Sequence, residues 1–145
     1  MPASDEIQVR IAALEDEQAI IRLMHRYCHT ADQGGDFGAI FTDDGVFDVT
    51  MADGRKIRRY EGLPAIREYW RTRETPPGRF DKHLVLSPVV TVDGDRARAV
   101  SDFVVLQDTA DRVLVTYGRY HDTLVRQDGA WRLCERRSTV ETLAR

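Results

Sequence analysis

At 145 residues the chain fits one domain, residues 1–145, large enough to bury a sizeable core. With 42% hydrophobic and 31% charged residues and a formal net charge of −3, it reads as ordinary soluble globular protein. Its basic residues are scattered and form no phosphate-tracking stripe, so nucleic acid is not an expected partner; no apolar run approaches the ~20 residues of a membrane span, so neither is a membrane.

The N-terminus, MPASDEIQVR, carries acids and lacks the apolar core of a secretory signal. Cys28 and Cys134 lie on separate elements without metal-type spacing, so two reduced thiols in a cytoplasmic protein are expected. From about Asp5 to Ala31, apolar residues at Ile20, Leu23, Met24, Tyr27, Cys28 and Ala31 form the i, i+3, i+4, i+7 stripe of an amphipathic helix. Ile7, Ile11 and Leu14 extend the stripe backwards, with a break allowed near Glu15-Asp16, and Gly34-Gly35 stop it. A short second helix is predicted over Asp36–Phe41, with Asp36 as its N-cap.

The period then changes. Gly45–Met51 reads as a strand, turning at Asp53-Gly54 into Lys56–Tyr60. Gly62-Leu63-Pro64 opens a third helix with Ile66, Tyr69 and Trp70 on one face, and Thr75–Gly78 ends it in a loop. The remainder is strands: Lys82–Val92, Arg96–Gln107, Val113–Arg126 and Trp131–Val140, turning at Asp93-Gly94, around Ala110-Asp111 and at Asp128-Gly129. Helices first and long strands after predict an α+β fold, with helices on one side of a mostly antiparallel sheet. A strongly curved sheet covered on its concave face encloses an apolar cavity suited to a small molecule.

The motifs HTADQGG, FTDDGVFDV, EGLPAIREYW, DKHLVLSPVVTVDGDRA and GRYHDTLVRQDGAWRL, in that order, resemble the SnoaL-like branch of the NTF2-like superfamily across roughly residues 10–142. The resemblance implies the cone-shaped barrel shared by scytalone dehydratase, polyketide cyclases, ketosteroid isomerase and hexachlorocyclohexane dehydrochlorinase. It also implies a homo-oligomer, dimer or trimer, formed through the open sheet face. In the dehydratase and dehydrochlorinase group an aspartate near the end of the first helix pairs with a histidine on the third strand. Here these match Asp32 and His83. The dehydrochlorinase arginine after the last turn falls on Arg136, with Arg137 as the adjacent candidate. The dehydrochlorinase lysine is Tyr27 here, the second dehydratase histidine is Ser101, and its serine and asparagine fall near Gly118 and Tyr120. What survives of both sites is the Asp-His pair.

Such a pair makes a general base, because the carboxylate fixes the imidazole tautomer and stabilises the imidazolium. The implied activity is that of a cofactor-independent lyase or isomerase of dehydratase, isomerase or cyclase type. Its substrate would be a small, largely apolar, carbonyl- or hydroxyl-bearing molecule. The alternative that the resemblance also covers is a non-catalytic ligand-binding domain, or the small subunit of a ring-hydroxylating dioxygenase. No nucleotide-binding loop or metal set is visible, so no cofactor is expected; His25 and His29, at i, i+4 on the first helix, read as a solvated face.

Tyr27 precedes Asp32 by five residues, about 140° around the helix, so it reads either as core or as a pocket hydroxyl. Alternation places Ser101 with Phe103, and Tyr120 with Leu124, on single strand faces expected to line the pocket. Phe41, Phe47, Trp70 and Trp131 read as core. Tyr27, Asp32, His83 and Arg136 are expected to border one pocket. Asp32 is expected to raise the His83 pKa by about one unit once desolvation is counted.

Overall fold

Helix α1 runs unbroken from Pro2 to Gln33 in the computed structural model, which describes residues 2–73 and 79–142. No break falls at Glu15-Asp16, because Asp16 is used from outside the helix. Its carboxylate accepts Trp131 Nε1–H at 3.0 Å and a bond from Arg126, whose guanidinium lies 4.9 Å from the Trp131 ring centroid. That ties the middle of α1 to the far end of the sheet. Only the half from Ile20 onward is packed, through Ile20, Leu23, Met24, Tyr27 and Cys28; Ile7, Ile11 and Leu14 are exposed. Their spacing continues the apolar stripe, but no element among the described residues covers them.

The second predicted helix shrinks to one 3-10 turn, Phe37–Ala39, capped by Asp36, whose side chain accepts the Gly38 N–H at 2.8 Å. The chain is extended again by Phe41, four residues earlier than the sequence indicated. Strand β1 spans Phe41–Met51 and β2 spans Lys56–Glu61. Helix α2 spans Leu63–Thr72, with Gly62 at φ 87° as its N-cap; the predicted Thr75–Gly78 loop lies outside the described residues. Strands β3 (Asp81–Asp93), β4 (Arg96–Asp108), β5 (Val113–Gln127) and β6 (Ala130–Val140) follow. At the β5–β6 turn both Asp128 (φ 51°) and Gly129 (φ 77°) are left-handed, the backbone that makes Asp-Gly a two-residue hairpin turn.

One six-stranded sheet results, ordered β2-β1-β6-β5-β4-β3, antiparallel except where β1 runs parallel to β6. It curves around α1 and α2, an α+β arrangement. Bulges help to bend it. In β3 the register slips between Leu86 and Val89, where Ser87 takes φ 52°, and in the β5–β6 pair it slips between Thr123 and Leu124.

The inner face is read row by row across the strands. His83, Val105 and Thr116 form one row; Val85, Phe103, Gly118 and Val140 the next; then Ser101, Tyr120 and Ser138; then Ala99, Asp122, Arg136 and Phe47. Gly118 is required where it stands. A Cβ there would lie 1.9 Å from the Thr139 carbonyl oxygen and 3.0 Å from the Phe103 ring. No described helix is long and apolar enough to cross a membrane.

Candidate active site

Helix α1 ends because Gly34, at φ 84°, turns left-handed and donates its N–H to the Thr30 carbonyl at 2.9 Å. Asp32 is thereby left in the last turn, facing β3. That strand is the edge of the sheet, so alternate backbone N–H groups on it have no strand partner. Asp32 takes one of them: its two oxygens accept the His83 backbone N–H at 3.0 and 3.1 Å. The same carboxylate accepts Nδ1–H of the His83 ring at 2.6 Å. An ionised carboxylate only accepts, so the ring proton sits on Nδ1 and Nε2 keeps its lone pair.

Nε2 faces a cavity of about 370 Å³ lined by Tyr27, Phe47, Tyr69, Trp70, Phe103 and Tyr120 among its aromatic residues, with Arg58, Arg73, Gln107, Thr116 and Ser138 as polar neighbours. The Trp70 ring meets His83 edge-on at 5.8 Å, and Arg73 Nη1 stands 3.4 Å from Nε2. Arg73 is held by Asp81 at 2.8 Å and lies 5.2 Å from the Trp70 ring centroid. Burial pushes the His83 pKa down; the Asp32 hydrogen bond opposes this, and the Arg73 charge adds to the fall. The rise expected from sequence is therefore reversed. Deep burial outweighs the carboxylate, and a nearby cation had not been counted.

Tyr27, His83, Phe103 and Tyr120 come together on the cavity wall. Asp32 does not reach it. It stands behind His83 and borders a neighbouring groove, with Trp70 and Arg73 shared between the two spaces. Ser101 shares a face of β4 with Phe103 and a row with the lining residues Tyr120 and Ser138, but does not itself line the cavity; it is buried, and its hydroxyl has no partner among the described residues. Arg136 also stands behind the lining. Fully buried, it binds Asp122 through two bonds of 2.8 and 2.7 Å and packs against the rings of both Tyr27 (4.2 Å) and Tyr120 (3.9 Å). Of the two candidate arginines it is the inward one, since Arg137 is exposed beside Glu135. It props up the cavity floor and does not stand where a substrate clamp would.

Burial raises the pKa values of Tyr27 and Tyr120, so both remain phenols at neutral pH. The Cys28 thiol is pushed up to about 11, chiefly by burial, which leaves it a poor nucleophile. Phe47 and Trp70, read from sequence as core, also form cavity wall. Arg58 and Arg73 were not singled out. One signal for Arg73 was available, because it follows Trp70 by three residues, the spacing at which helix side chains meet.

A curved antiparallel sheet closed by helices around an aromatic cavity is the NTF2-like arrangement. The chain belongs to the SnoaL-like domain family, which matches it over residues 12–137. Rv3472 of Mycobacterium tuberculosis, a protein of unknown function, is 32% identical, with a TM-score of 0.76 over 92% of this chain and 76% of that one. An NTF2-like protein with a cystatin-like fold from Novosphingobium aromaticivorans is 24% identical, with a TM-score of 0.73 over 92% and 87% of the two chains. A type 2 hexachlorocyclohexane dehydrochlorinase (LinA) is 19% identical, with a TM-score of 0.74 over 93% of each. At those last two identities the likeness is one of fold. No curated protein matches the chain.

Proposed function

We propose that the protein is a lyase or isomerase that works without a cofactor, with His83 as general base and Asp32 as the group that orients it. The observation that carries this reading is the 2.6 Å bond from His83 Nδ1 to Asp32, which aims the basic Nε2 at an aromatic-lined cavity. A base of this kind removes a proton next to a carbonyl or a leaving group, and general base help is worth about 10²–10⁴ in rate. Tyr27, Phe103 and Tyr120 shape the wall for a planar or cyclic molecule; Ser138, whose hydroxyl has no partner among the described residues, offers a hydrogen bond. Arg136 and Ser101 support the wall from behind.

The test is proton exchange in D₂O with a panel of cyclic ketones and β-hydroxyketones, followed by NMR. Deuterium is expected to enter next to the carbonyl at a rate that falls about 10²–10⁴ in His83→Gln and Asp32→Asn. Exchange no faster with wild type than with His83→Gln, across the panel, would leave a ligand-binding domain as the better reading.

A further inference from the structure

We infer that Arg73 is the oxyanion donor of this site, so that the substrate is an enolisable carbonyl compound. This deepens the reading of His83 as a base and rests on it. Arg73 Nη1 is 3.4 Å from His83 Nε2, at the spot where the base must meet its substrate. A substrate whose acidic C–H faces Nε2 brings the neighbouring carbonyl oxygen, a bond or two away, to Nη1. The contact to Nε2 is long for a hydrogen bond to nitrogen, so an anionic oxygen held at about 2.7–2.9 Å replaces it readily.

The surroundings suit that role. Asp81 holds the other terminal nitrogen, Nη2, at 2.8 Å, which fixes the planar guanidinium and leaves the Nη1 donors for a ligand. The guanidinium lies 5.2 Å from the Trp70 ring centroid, and its side chain is only 22% exposed. A charge kept in place beside aromatic walls stabilises developing charge better than one in water, with no reorganisation at the moment of reaction. An arginine serving only to pair Asp81 has no need to present its second nitrogen to the base.

In the reaction the C–H bond next to the carbonyl breaks and its proton goes to Nε2. The bonding pair becomes the enolate C=C, and the carbonyl π pair moves to the oxygen held by Arg73. The imidazolium then returns the proton to a different carbon, giving an isomer, or to a β-hydroxyl that leaves as water. A chlorinated alkane undergoing elimination develops no oxyanion and has no use for this donor.

The probe is 4-nitrophenolate, with nitrobenzene as its neutral control, each titrated at a pH where the phenol is ionised and followed by quenching of tryptophan fluorescence. Arg73→Gln, which keeps a hydrogen bond to Asp81, is expected to lose about tenfold or more in phenolate affinity. Nitrobenzene affinity should change less than about twofold in the same variant, which also shows that the cavity is intact. Arg73→Lys should recover part of the loss. Unchanged phenolate affinity in Arg73→Gln would overturn the assignment, as would an equal loss for both probes, since Arg73 would then only shape the cavity. Arg73-dependent phenolate binding without proton exchange would keep the oxyanion site and remove the enzymatic reading. Exchange without that dependence would do the reverse.

Discussion

At the scale of single residues the proposed chemistry rests on how His83 is kept neutral. Burial and the Arg73 charge outweigh Asp32, so the imidazole loses its proton at a lower pH than a free histidine, whose pKa is about 6.5. For a base this is useful, because Nε2 is available across the whole neutral range. The acid limb of a pH–rate profile is accordingly expected to have its midpoint below about 6.5. Stability follows the same sign. Between the folded pKa and about 6.5 the unfolded chain binds more protons than the folded one, so this contribution is present above about pH 6.5 and is lost as pH falls through the folded value. Asp32 opposes the depression. NMR titration of Asp32→Asn should therefore show a His83 pKa lower than in wild type, and equal values in the two proteins would mean that the pair is uncoupled.

At the scale of elements, strands β5 and β6 carry an ion pair that has no access to water. Asp122 and Arg136 sit opposite one another across the ladder and are both fully buried. Burial works against the arginine's charge, yet Asp122 more than compensates, and its pKa stands above the ordinary value. The guanidinium also packs against Tyr27 of α1 and Tyr120 of β5, whose rings meet edge-on at 6.0 Å, so it helps to join helix and sheet. Removing one partner leaves the other charge unpaired. Asp122→Asn is expected to cost about 3–5 kcal/mol in urea unfolding, whereas Asp122→Leu combined with Arg136→Met should cost less than either single change. A double variant no better than the singles would show that the two tyrosines, and not the charges, need the arginine.

For the whole molecule, the outer face of the sheet presents apolar side chains to solvent. Leu84, Leu86 and Val89 of β3, Val100 of β4, and Val115 and Tyr117 of β5 are exposed there. Across the strands Leu84 meets Val104 and Val104 meets Tyr117, so the apolar residues adjoin and are not scattered singly. A contiguous patch of this kind on a sheet is characteristic of an interface between subunits. Self-association through this face, as a dimer or trimer, is expected. Sedimentation at micromolar concentration tests it, and a single species at the 16.6 kDa of one chain would exclude it.

Much of this molecule is local in origin and therefore legible along the chain. Gly34 ends α1 because it tolerates a positive φ, and Gly54, Gly94 and Gly129 turn the hairpins for the same reason. Alternation places Phe103 and Tyr120 on the inner face, and family resemblance pairs Asp32 with His83. Periodicity names a face but carries no information about which of its side chains the neighbours cover. Ser101 and Phe103 share a face of β4, yet Phe103 lines the cavity and Ser101, level with the lining residues Tyr120 and Ser138, does not. Neighbours likewise keep Arg136, paired with Asp122 and packed against two tyrosines, from the clamp its position suggested. The parallel β1–β6 pairing and the uncovered first half of α1 depend on what the rest of the chain brings alongside. Arg73 shows the same limit: its place at the base depends on the end of α2 meeting the start of β3, and the charge at that meeting reverses the expected shift of His83.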